Sequence, residues 1–149
     1  MKSTRGDYTL SDEPSAQQPE RIHAYLTRSY WASGIPLELV KRAMAGSLCF
    51  GIFHGADQVG FARVITDRAT FAYLADVYIL EEHRGRGLAN WLVKTITGHP
   101  ELQGLRRFML ATRDAHPLYA KYGFTPAAKP ELLMELVKSP AYSCVATTP

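Results

Sequence analysis

Cysteine is scarce in this chain: Cys49 and Cys144 are the only two. Two cannot build a disulfide framework. Cys49, inside the apolar run Leu48-Cys49-Phe50, reads as a small core residue, so a reducing, cytoplasmic setting fits best. Long hydrophobic runs are missing as well. The most apolar stretch, Ala43 to Phe53, is interrupted by Gly46, Ser47 and Gly51 and falls well short of the ~18 residues a membrane-spanning helix requires. The opening residues, Met1-Lys2-Ser3-Thr4-Arg5-Gly6-Asp7, contain no apolar core, so no secretory signal is expected. The 5 histidines are too dispersed for an i,i+3 or i,i+4 pair, which leaves no local zinc site. A strong excess of one charge is lacking too. The net charge of +3 permits an anionic ligand but is too mild to argue for nucleic acid.

What is present suits one folded domain. The 149 residues, 46% apolar and 21% charged, can bury roughly two-thirds of the unfolded surface and exclude disorder as the main theme. Asp7 to Ser11 fits a short first strand, and Asp12 to Pro19 a loop. Ile22, Tyr25, Leu26, Ser29 and Tyr30 fall at helical spacing. Ser33-Gly34-Ile35-Pro36 breaks that helix, and a second follows with Val40, Ala43 and Met44 on one face. Strands are expected over residues 48–54, 58–66 and 70–80, the last nearly continuous in apolar residues and therefore covered on both faces.

The remainder alternates. A helix is expected from Gly87 to Thr97, with Leu88, Trp91, Leu92 and Ile96 as its apolar stripe and Trp91 in the core. Residues 107–111 read as a short buried strand. Asp114 is positioned to cap a helix running from Ala115 to Tyr122 and closed by Gly123, with Tyr122 as packing. Leu132 to Val137 reads as a last strand, and the chain after Ser139 has no periodicity. The fold class is α/β: a sandwich around a mixed sheet, with the domain over 7–138 and a C-terminal tail over 139–149.

One stretch concentrates the chemistry. Val77-Tyr78-Ile79-Leu80 ends the central strand, Glu81-Glu82-His83-Arg84-Gly85-Arg86-Gly87 forms a basic, glycine-rich loop, and Leu88-Ala89 opens a helix. A first helical turn presents unpaired N–H groups and the positive end of the dipole. Gly85 and Gly87 let backbone approach a ligand, and Arg84 and Arg86 add charge. Together they describe a phosphate or pyrophosphate cradle. The Gly-Lys-Ser/Thr of a P-loop is absent. A dinucleotide fingerprint would need glycine or alanine where Asn90 stands, and an acidic residue about 20 positions on.

These residues resemble a known family. Arg84-Gly85-Arg86-Gly87-Leu88-Ala89 matches the Arg/Gln-x-x-Gly-x-Gly/Ala signature of the GCN5-related N-acetyltransferases (GNAT). In Leu118-Tyr119-Ala120-Lys121-Tyr122-Gly123-Phe124, a tyrosine four residues before Gly-Phe matches that family's second signature. The order of elements agrees over roughly residues 7–137. The resemblance implies a three-layer sandwich with a mostly antiparallel central sheet flanked by helices. It also implies acetyl-CoA as acyl donor, its pyrophosphate on residues 84–89 and its pantetheine arm along Val77, Tyr78 and Ile79. Tyr119 then matches the general acid that protonates the departing thiolate. Many members carry an asparagine seven residues before that tyrosine to hold the pantetheine arm. Here the position is Thr112, which keeps a single hydroxyl in place of a two-sided amide.

Four further residues are candidates on their own chemistry. Asp76 interrupts an apolar strand, on the face it is expected to share with Leu74 and Tyr78. It is either an acidic catalytic group, a counter-ion for an amine, or a carboxylate satisfied by a neighbour such as Arg63. His116, one turn before Tyr119, either contacts substrate, serves as a base, or packs at a helix start. Tyr30 and Trp31 either wall an acceptor pocket, where aromatic faces attract ammonium groups, or plug the gap between helix and sheet. Neither cysteine lies at this site, so an acyl-cysteine route has no support.

The sequence reading is thus an N-acetyltransferase that moves acetyl to a primary amine, of a small molecule or a peptide, by direct attack in a ternary complex. A non-catalytic acyl-CoA-binding regulatory domain on the same fold is the alternative. Nucleic-acid binding through Arg84, Arg86, Arg106 and Arg107 is a further one, and it predicts a steep salt dependence. No nucleic-acid or membrane partner is expected, and a homodimer is open.

Overall fold

The computed structural model describes residues 1–138 and Tyr142. The chain opens on a hairpin of β1 (Lys2–Arg5) and β2 (Tyr8–Ser11), turned at Gly6 with φ of 56°. Two helices follow, α1 (Pro19–Leu26) and α2 (Leu37–Ala45). Three long strands come next: β3 (Leu48–His54), β4 (Asp57–Thr66) and β5 (Phe71–Ile79). Then come α3 (Leu88–Thr97), β6 (Arg107–Leu110) and the single-turn α4 (His116–Ala120). The six strands form one sheet in sequence order, antiparallel throughout except for the parallel pair β5–β6. The expected mixed, mostly antiparallel sheet flanked by helices is what forms.

The alternation of apolar side chains along the central strands feeds two cores, one on each face. Phe50, Ile52, Val64, Leu74 and the α3 stripe of Leu88, Trp91, Leu92 and Ile96 fill one. Ile22, Leu26 and Val40 of the first two helices cover the other, over Cys49, Phe61 and Tyr78. Cys49 is a core residue, as its surroundings in sequence imply. Tyr122 packs against the first core and donates its hydroxyl to Asn90 Oδ1 at 3.1 Å, tying the end of α4 to the first turn of α3.

Four local expectations need correction. β1 was not anticipated, because Lys-Ser-Thr-Arg has no apolar alternation; it is a mostly exposed edge strand, where none is required. α1 ends at Leu26, short of Tyr30. Ser29 Oγ donates to Leu26 O at 2.7 Å and accepts from Ala32 N at 3.1 Å, so a local side-chain turn replaces the next helical turn. Asp114 does not cap α4. The Ala115 N–H goes to Thr112 Oγ1 at 3.0 Å instead. The strand expected over Leu132–Val137 is absent: a short 3-10 turn over Pro130–Leu132 precedes an unpaired segment, and β6 is the last strand among the described residues. The tail expected over 139–149 lies outside the described residues, Tyr142 apart.

Candidate active site

The site is built where the sheet stops pairing. β5 and β6 are in register only from Phe71/Arg107 to Leu74/Leu110. Beyond Leu74 the edge of β5 that faces β6 has no strand beside it among the described residues. A cleft of about 470 Å³ opens there, lined by Ala75, Asp76 and Val77 on one side and Thr112, Arg113 and Tyr119 on the other, with Tyr30 and Trp31 among its walls. Candidates drawn from α4, the β6–α4 loop, β5 and the turn after α1 thus meet around one space.

Asp76 marks a break in the strand. Its φ is 57°, left-handed backbone that few residues other than glycine, asparagine and aspartate adopt. The β4–β5 register slips there, with Arg63 opposite Ala75 but Phe61 opposite Tyr78. This bulge adds a residue and reverses the alternation. Leu74 therefore enters the core beneath α3, while Tyr78 enters the one beneath α1 and α2, stacked on Tyr25 at 4.0 Å. The shared face expected for Leu74, Asp76 and Tyr78 does not exist. The Asp76 carboxylate is already engaged on both oxygens, accepting from Arg63 Nε at 2.8 Å and from Trp31 Nε1 at 2.9 Å. Arg63 in turn donates from Nη1 to Ser47 Oγ at 3.2 Å.

Tyr119 is 8% exposed and lines the cleft. Burial, reinforced by Tyr30, pushes its hydroxyl up to about 12. A phenol so placed is fully protonated at neutral pH and is a donor. Tyr30 and Trp31 are 52% and 39% exposed, so they form a rim and not a plug. Their rings meet edge to face at 5.1 Å, and the Arg113 guanidinium lies 3.8 Å from the Tyr30 ring centre. Arg113 is a site residue that sequence reasoning missed, since nothing in its spacing sets it apart. His116 is exposed and lines the adjoining groove along β6 and α4, not the cleft that Asp76 lines.

The loop from β5 to α3 has the character of a cradle. Gly85 and Gly87 both have φ of 77°, and a Cβ at either would meet no protein atom within 4 Å, so the space above them is open. Gly87 is the N-cap of α3 and offers no capping side chain. The first-turn N–H groups at Leu88 and Ala89 are thereby left for a ligand, and an anion suits them. Arg84 plays a different part from the one its sequence suggests. Its guanidinium donates to Ile79 O at 2.9 Å and to the Tyr25 hydroxyl at 3.0 Å, bracing the loop against the strand. Arg86 is exposed. An open loop of backbone donors at the end of a splayed strand fits a diphosphate followed by an extended amide-bearing arm.

Comparison with known proteins agrees with this geometry. Residues 45–126 match the family model described as acetyltransferase (GNAT) domain. A candidate acetyltransferase from Gibberella zeae is 37% identical over 141 residues, covering 79% of this chain and 78% of that protein. The crystal structure of a candidate GNAT acetyltransferase from Xanthomonas campestris pv. campestris superimposes with a TM-score of 0.89 at 52% identity, over 94% of this chain and 99% of the other. A structure from Clostridium acetobutylicum, solved with acetyl-CoA, shares the fold at 16% identity and a TM-score of 0.63, over 87% of this chain and 94% of that one. The chain belongs to the GNAT family of acetyltransferases. No helix among the described residues is long and apolar enough to cross a membrane.

Proposed function

We propose that this enzyme transfers acetyl from acetyl-CoA to a primary amine, by direct attack while both substrates are bound. The observation that carries the reading is the splayed β5–β6 cleft, with a buried, protonated Tyr119 on its wall and an uncapped helix start at the end of β5. The Clostridium relative holds acetyl-CoA on the same fold. Acetyl-CoA supplies a thioester, an acyl group already activated for attack.

The residues of this chain then divide the work. Backbone N–H groups of residues 84–89 hold the diphosphate, and the open edge of Val77, Tyr78 and Ile79 aligns the pantetheine arm, with Thr112 offering one hydroxyl from the opposite wall. The amine enters under Tyr30 and Trp31. An alkylammonium has a pKa of about 10 and must lose its proton before attack; the proton leaves to solvent at the exposed mouth. Asp76 positions Trp31 at the acceptor rim and does not act as a base, because Arg63 and Trp31 engage both of its oxygens. The amine nitrogen bonds to the acyl carbon and the carbon–sulfur bond breaks; Tyr119 stabilises the sulfur as charge builds on it, and the nitrogen's remaining extra proton is lost to solvent, from which the thiolate is protonated. Holding the two reactants side by side supplies much of the rate. The test is thiol release from acetyl-CoA across a panel of small amines, amino acids and peptides, alongside thermal shifts with CoA alone. Stabilisation by CoA with thiol release on some amine is expected. Absence of any CoA stabilisation would remove the reading.

A further inference from the structure

A cation stands where an amine is expected to enter. Among the described residues, Arg113 is the only basic side chain that lines the cleft. A guanidinium there repels a plain alkylammonium, so it suits something else on the incoming molecule. The protein does not neutralise it. No carboxylate among the described residues forms an ion pair with Arg113, not even Asp114, the next residue in the chain.

The side chain is exposed, yet it is held. Its guanidinium carbon lies 3.8 Å from the centre of the Tyr30 ring. Tyr30 meets Trp31 edge to face, Trp31 donates to Asp76 Oδ1, and Asp76 pairs with Arg63. A line of contacts therefore runs from the sheet to the tip of Arg113. A guanidinium seated on an aromatic face still has N–H donors to spare, in a fork that fits two oxygens of one anion. Carboxylate and phosphate both match such a fork. Asp114, which lines the same wall and is exposed, opposes a doubly charged phosphate more strongly than a singly charged carboxylate.

We infer that the acceptor is an amino acid, its carboxylate held by Arg113 while its amine is presented to the thioester. The inference rests on the acetyl-transfer reading above and narrows its acceptor. The two charges at the mouth then suit one zwitterion: Asp114 attracts the ammonium as it arrives, and Arg113 anchors the other end. The carboxylate takes no part in bond making, so its contact is equal in ground and transition states and is felt in KM more than in kcat.

Thiol release from acetyl-CoA is measured with α- and ω-amino acids, each against its own carboxamide, with diamines and aminoalkyl phosphates alongside. The amide keeps amine and chain and removes only the negative charge; rates are expressed per unprotonated amine. For the preferred acceptor, kcat/KM should favour the acid over its amide by about 10- to 100-fold. Arg113→Gln should abolish most of that ratio through KM, with CoA affinity by calorimetry within about twofold of the parent. Arg113→Lys should recover part of it, since lysine supplies charge without the fork. Equal use of acid and amide, or a preference for diamines or aminoalkyl phosphates, would overturn the inference and leave acetyl transfer standing. So would a protein that CoA stabilises but that turns over no acid. A parallel loss of CoA affinity in Arg113→Gln would place the guanidinium on the donor and overturn it too. Absence of any CoA stabilisation removes the acetyl-transfer reading itself.

Discussion

Removing one oxygen from the cleft tests the chemistry most directly. In Tyr119→Phe the ring stays, its packing in the core beneath α3 stays, and only the hydroxyl is lost. Among the described residues no group hydrogen-bonds that hydroxyl, so stability should change little and the melting temperature should move by less than about 2 °C. The catalytic effect follows from the proton affinity of the two partners. Burial holds Tyr119 near 12, whereas a free thiol titrates near 8.5. Handing the proton over completely is then uphill, because the buried phenol holds its proton more tightly than a thiolate would. In the proposed mechanism Tyr119 is therefore expected to act chiefly as a hydrogen-bond donor whose bond tightens as the sulfur becomes anionic.

A charge-assisted bond of that kind contributes about 1.5–3 kcal/mol, or roughly 10- to 150-fold in rate. Steady-state thiol release should show kcat lower by that factor, with CoA affinity from calorimetry within about threefold of the parent. The high proton affinity adds a sign. Tyr119 stays protonated throughout the neutral and mildly alkaline range, so any fall in kcat below about pH 10 belongs to another group, and Tyr119→Phe should leave the profile's shape unchanged. A kcat within twofold of the parent would refute the donor role, and a parallel loss of CoA affinity would reassign Tyr119 to packing.

Three other perturbations follow from the same geometry. Gly87→Ala meets no steric clash but puts a side chain into left-handed backbone, at a cost of about 1–2 kcal/mol; calorimetry should show CoA affinity falling more than thermal stability does, because the new methyl points into the cradle. Asp76→Asn leaves the Arg63 guanidinium unpaired in a site where both side chains are less than one-fifth exposed. It should lower stability by about 3 kcal/mol, a melting-temperature drop of about 6–12 °C that the second change Arg63→Met largely reverses. Burial pushes the Cys49 thiol up to about 11, so it remains a neutral thiol at pH 8; its peptide should resist iodoacetamide in the native protein and react once guanidinium unfolds it, by mass spectrometry.

How much of this was legible beforehand depends on the range of the interaction that decides each residue. Strands 48–54 and 58–66, the Trp91 helix and the loop that precedes it are set by local alternation, glycine placement and helical spacing, and all are found within a residue or two. The helix after Pro19 and the strand at Leu132–Val137 misled for opposite reasons. Ser29 sits at helical spacing, yet its hydroxyl bridges the carbonyl of Leu26, the last helical residue, and the N–H of Ala32 beyond it. Leu132–Val137 has strand composition but pairs with no strand among the described residues, and composition alone does not supply a partner. The site residues divide likewise. Gly85, Gly87 and Tyr119 carry local signatures, whereas Arg113 reaches Tyr30 only through folding, and the commitment of Arg84 to Ile79 and Tyr25 depends on where α1 packs.

The bulge at Asp76 is the feature on which cleft and fold both turn. Without it, β5 would continue in a single alternation from Phe71 to Ile79, and Leu74 and Tyr78 would compete for one face. One extra residue, in a conformation that aspartate tolerates better than most, lets the strand feed the core beneath α3 before the bulge and the core beneath α1 and α2 after it. The same irregularity lies where β5 loses register with β6, so the edge that is left bare faces Tyr119 across the opening. The Arg63–Asp76 pair lies at that point, on the face that α1 and α2 cover, with both side chains less than one-fifth exposed. On this view the structural part of Asp76 comes before any chemistry: it stands at the bulge beside the gap in the sheet where the proposed mechanism seats the thioester.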